Sequence, residues 1–136
     1  MSNLNNVSSI SPEALESFRK LSDNIIKETV SRSLENKDEV SNHGDQAERI
    51  LTIGLEFTTK VLDAAMSVGE LPFLEDELLW AKDRLPHDGV MMEHILSRFK
   101  IYRDVVNEMI PVKYANEVNY FIDWMIARQN ELTYID

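Results

Sequence analysis

The sequence contains no cysteine. Disulfides, thiolate nucleophiles and cysteine-ligated zinc are excluded together, and the chain suits a reducing compartment. Glycine and proline are scarce, with four of each in 136 residues. A sandwich or barrel with many tight turns needs more of both. The glycines stand apart at positions 44, 54, 69 and 89, so there is no Gly-rich loop to cradle a phosphate. No apolar run approaches the ~20 residues of a membrane-spanning helix. The opening Met-Ser-Asn-Leu-Asn-Asn-Val-Ser-Ser has neither the basic start nor the apolar run of a signal peptide. Positive charge is also short: 14 Lys and Arg against 24 Asp and Glu leave a formal net charge of −10. Such a surface repels phosphate backbones and anionic membranes. Neither nucleic acid nor membrane is therefore an expected partner, and the expected location is cytoplasmic.

What is present is apolar residues at helical spacing. They make up 43% of the chain, enough for one domain with a core. Residues 1–10 are polar and read as a flexible tail; residues 11–136 read as one helical domain. The organising stretch is 90–110. There Met92, Ile95, Phe99, Tyr102, Val106 and Met109 recur at steps of three and four, on one helix face. Met91, Leu96, Ile101 and Val105 widen that stripe. A helix this apolar is expected to lie deep among others.

The remaining helices follow from start and stop signals. Ser11-Pro12-Glu13 is an N-cap, a first-turn proline and a first-turn acid, opening a helix to about Leu34. Its apolar face (Ala14, Phe18, Leu21, Ile25) is sparse, so this helix is expected at an edge or in a dimer contact. Residues 35–46 read as a charged linker. The spacing of Ile50, Ile53, Phe57, Val61, Ala64 and Val68 predicts a helix over 45–68, capped by Gly69. Gly54, inside it, is either a point of close approach or a tolerated cost of ~1 kcal/mol. Pro72 opens a helix facing inward through Leu71, Leu74, Leu78, Ala81 and Leu85. Pro111 separates the central helix from a last one over 112–132, lined by Val118, Phe121, Ile122, Met125 and Leu132. No apolar-polar alternation is long enough for a half-buried strand. The fold class is all-α, a single bundle of about five helices.

Chemistry-bearing groups are thinly spread. The histidines, His43, His87 and His94, form no His-x-x-x-His or Glu-x-x-His pair, so no metal site is expected. His43 reads as a solvated linker residue and His87 as a turn residue. His94 reads as a surface or boundary residue; its sharper reading is a pH-sensitive switch. One histidine suffices to ligate haem, but nothing else supports that, and no cofactor is expected. Glu75, Asp76 and Glu77 stand where acids complement a helix dipole, which explains them without catalysis. No nucleophile is marked, and an enzyme is not expected. Aromatic and methionine side chains gather in the last three helices. They suit either an ordinary core or an adaptable pocket for an apolar ligand.

From Gln46 to about Leu132 the pattern resembles the N-terminal non-haem globin domains of RsbR-type stressosome proteins and related bacterial sensor domains. The carriers are Leu78-Leu-Trp80, the turn ending in Gly89-Val90, the face Phe99-Lys-Ile-Tyr102, and Val118-Asn-Tyr-Phe-Ile-Asp-Trp124. The resemblance implies a globin-like fold without haem. It also implies a homodimer joined through terminal helices, and signal input to a protein partner. The output domain that follows in RsbR proteins has no counterpart here, so a sensor fragment or a free-standing regulator is expected. Its cavity is expected to be lined by Trp80, Phe99, Tyr102, Phe121 and Met125, and to hold an apolar small molecule. The rival expectation is a helical adaptor with a fully packed core and no ligand, in which Phe18 and Ile25 carry the contact. Trp80 with Glu93-His94 also bears a likeness to the helical cap of light-sensing cobalamin proteins, at a longer spacing and without their cobalamin domain.

Overall fold

The computed structural model describes residues 9–135. Among them it is all helix, with no strand. The helices are α1 (Pro12–Ser33), α2 (Lys37–His43), α3 (Ala47–Val68), α4 (Pro72–Arg84), α5 (Met92–Met109) and α6 (Val112–Thr133). Short 3-10 turns at Gly44–Gln46 and Leu85–Asp88 lead into α3 and out of α4. None of these helices is long and apolar enough to cross a membrane.

The punctuation read from the sequence is where the chain turns. Ser11 Oγ accepts from the Ala14 N–H at 3.2 Å, capping α1 directly before Pro12. The same serine donates its N–H and its hydroxyl to Glu117 of α6, at 2.7 and 3.0 Å. Gly69 closes α3 at φ +69°, a left-handed conformation that a side chain resists. Ile110 is extended, as the residue before a proline must be, and α6 starts on the far side of Pro111.

Helix α5 packs against α1 and α6, with its wide apolar face turned inward. Ile95, Leu96, Phe99, Tyr102, Val105 and Val106 are all buried. Val118, Phe121, Ile122, Met125 and Leu132 of α6 meet it from one side.

Four expectations are corrected. Helix α1 is no edge element: it packs on α3, α5 and α6, with Phe18 and Ile25 fully buried. The linker at 35–46 contains α2, whose cap is Asn36; its side-chain oxygen accepts from the N–H groups of Asp38 and Glu39. Most of the expected tail, residues 1–8, lies outside the described residues, but Ile10 is buried and its N–H donates to the Met66 carbonyl.

The fourth correction concerns α3. The helix is apolar on two faces, and the structure buries the other one. Ala47, Leu51, Leu55, Thr59, Leu62, Ala65 and Met66 point inward. Ile53 and Phe57 are about half exposed, at 54% and 48%, with Val68 alongside. Both stripes have helical period, so periodicity alone does not choose between them. A polar requirement favours the inner one. The fully buried Tyr102 hydroxyl needs a partner, and Thr59 Oγ1 supplies it at 2.8 Å.

Candidate ligand groove

The misplaced stripe of α3 becomes the wall of a groove. Ile53 and Phe57 face Leu78 and Trp80 of α4, with Ile95 and Phe99 of α5 beneath. The enclosed space is about 360 Å³, at the small end of the range for ligand sites. Its surface is overwhelmingly apolar. Trp80 is 52% exposed and forms part of the mouth. Phe99, almost entirely buried, belongs to both the groove wall and the core.

The five residues expected to share a cavity are therefore divided. Trp80 and Phe99 line the groove. Tyr102, Phe121 and Met125 lie in the packed core and do not reach it. Helical periodicity put all five on inward faces, but it carries no information on which inward positions end at a wall.

Of the polar groups at the groove, Glu77 was read only as a helix-start acid, and Arg98 and Gln129 were not singled out in the sequence. Arg98 of α5 is buried, lines the groove, and pairs through Nη2 with Glu39 of α2. Those two side chains are only 7% and 2% exposed. The clue in the sequence was Gly54. A Cβ there would stand 3.2 Å from Arg98 Nη1, so the missing side chain gives the guanidinium its passage. The close approach is by a side chain rather than by another helix. Gln129 of α6 also lines the groove. Its amide nitrogen donates to Thr133 Oγ1 at 3.0 Å, while Oε1 is buried without a partner.

The acids at the start of α4 do more than complement its dipole. Glu75 is buried, and its two carboxylate oxygens accept from Nε and Nη2 of Arg128, at 2.8 and 2.9 Å. Glu77 lines the groove, and loss of solvation there pushes its carboxyl up from the usual carboxylate range.

Two histidines are placed differently from the reading above. His94 is buried rather than superficial, with Nδ1 unpartnered. His43 belongs to α2, and its Nε2 is buried without a partner. Burial lowers its pKa; the charge of Arg98 lowers it further, Glu39 opposes this, and His94 adds to the lowering. Among the described residues no three His, Asp or Glu side chains converge as metal ligands.

The His43 shift has a definite sign. A histidine whose folded pKa is depressed contributes stability above its unfolded value of about 6.5, and loses it as pH falls through the folded one. The thermal midpoint is thus expected to fall from pH 7 toward pH 5, and His43→Gln to flatten that fall. An unchanged slope in the variant would assign the acid sensitivity to other groups.

The chain matches no model of a protein family, and no curated protein matches it.

Proposed function

We propose that this chain is a cytoplasmic, non-enzymatic regulatory domain of the bacterial sensor kind. It holds a small apolar molecule in the α3–α4–α5 groove and passes occupancy to a protein partner. The observation that carries this reading is the groove itself: seven large apolar side chains, Leu85 among them, around about 360 Å³, with Trp80 and Phe57 half open to solvent. The pattern shared with the non-haem globin domains of RsbR-type proteins points the same way.

The groove and the outer face adjoin. Phe57 and Trp80 line the groove, while Val61, Ala64 and Phe73 continue the apolar surface along α3 and α4. Exposed apolar side chains grouped in this way are a usual mark of an interaction site. Helix α1 has its apolar side chains in the core, whereas α3 and α4 expose Ile53, Phe57, Val68, Phe73, Leu79 and Trp80, which offers a face to a partner or a second copy. A ligand seated between α3 and α4 alters that face only through a difference in affinity between two packings of the helices. The same exposed face favours a second reading, an adaptor that engages its partner there with no small molecule.

The test is titration with N-phenyl-1-naphthylamine, a neutral dye that brightens in apolar sites. Saturable binding of one dye per chain is expected, with quenching of tryptophan emission because Trp80 stands at the mouth. At a hundred times its Kd a ligand raises stability by about 2.7 kcal/mol, so the melting midpoint rises as well. Absence of saturable binding would leave the adaptor.

A further inference from the structure

We infer that the molecule this groove accepts carries a neutral amide-like head, whose carbonyl takes a hydrogen bond from Arg98 and whose N–H is available to Gln129. The inference rests on the ligand reading above and narrows it to a chemical class: medium-chain aliphatic carboxamides and their close analogues.

Two buried polar side chains line an otherwise apolar space, and each has unused bonding capacity. Arg98 can donate five hydrogen bonds. Among the described residues only its Nη2 has a partner, Glu39, and its Nε is buried with none. Nη1 turns toward Gly54, another residue of the groove wall. On α6, Gln129 leaves Oε1 unpaired. Buried groups left in this state each cost free energy, which a ligand recovers when the side chain turns its free atom into the groove. Arg98 offers donors and Gln129 an acceptor, so the complementary molecule has an acceptor and a donor of its own.

Charge decides the rest. Glu39 already neutralises the Arg98 guanidinium. A carboxylate entering the groove would be a second anion on one cation, with Glu77 on the same wall and a chain of net charge −10 around it. An ammonium head would pair with Glu77 but set a second cation beside the guanidinium. A neutral carbonyl avoids both costs. A space of about 360 Å³, at the small end for ligand sites, suits a short aliphatic tail behind that head.

The experiment is displacement of N-phenyl-1-naphthylamine from the whole chain at pH 7.5 by octanamide, octanoate, octylamine and octane. Octanamide is expected to displace the dye at least tenfold better than the other three, about the worth of one hydrogen bond to a charged donor. Gln129→Leu should weaken octanamide and leave octane unchanged. Arg98→Met alone strands Glu39 and threatens folding, so the double variant Glu39→Leu/Arg98→Met serves for that side; in it octanamide should lose its advantage over octane. Octanoate or octylamine equal to or better than octanamide would overturn the neutral head, as would an octanamide preference that survives both variants. Failure of the dye itself to bind would remove the ligand reading and this inference with it.

Discussion

Glu39→Ala is expected to destabilise the fold by about 3–5 kcal/mol, measured as a fall in the urea midpoint at unchanged slope. The reason is the partner left behind. Arg98 is held between α5 and α3, almost wholly out of water, and Glu39 is the one anion paired with it among the described residues. Without that carboxylate the guanidinium is a buried, uncompensated charge. Typical domains have about 5–15 kcal/mol in total, so the loss is a large fraction. Replacing both members with apolar residues removes the charge as well as its partner. Glu39→Leu/Arg98→Met should therefore be much closer to the parent than Glu39→Ala, since buried pairs exchanged for apolar side chains are often neutral. A double variant as unstable as the sum of its singles would mean that the two residues do not act together. A midpoint for Glu39→Ala within about 1 kcal/mol of the parent would mean that water reaches Arg98, and that α2 is not pinned by it.

This pair also marks the limit of what the sequence discloses. Five of the six described helices were legible because their ends are chemical: Ser11 before Pro12, Gly69 after Val68, and Pro111 between two apolar stripes; α2 was not, because its seven residues carry no apolar stripe. The burial of α5's apolar face followed from its width. The face of α3 did not follow, because that helix carries two stripes of equal period. Choosing between them needs the positions of Tyr102 and α1, which are tertiary facts. The sparse face of α1 misled for a related reason. It buries Thr29 and Ser33 along with its apolar residues, so an apolar count understates how deep it lies. The groove was legible only in part. Trp80 and Phe99 are large and apolar and invite attention. Arg98, Glu39 and Gln129 resemble any surface residues in a chain that is 28% charged. Gly54 alone, a glycine within a helix, pointed to something close by, and that something was Arg98 Nη1.

Phe18→Ala and Phe57→Ala, taken together, decide which apolar faces hold the fold and which are free to bind. Phe18 has no exposed surface and sits where α1 meets the core. Its truncation should cost about 3–5 kcal/mol, the transfer term plus the cavity left behind. Phe57 is half in solvent on the wall of the groove, so its truncation should cost about 1 kcal/mol or less. The order reverses for binding. Phe57→Ala should weaken N-phenyl-1-naphthylamine by removing part of the wall, while whatever fraction of Phe18→Ala remains folded should bind it as the parent does. Urea unfolding and dye titration on the same preparations read the two effects separately, and sedimentation reports association alongside. If Phe18→Ala were instead to stay as stable as the parent and lose only self-association, α1 would be a contact surface after all. The burial of Phe18, and with it the assignment of the α3–α4 face as the open one, would then be mistaken.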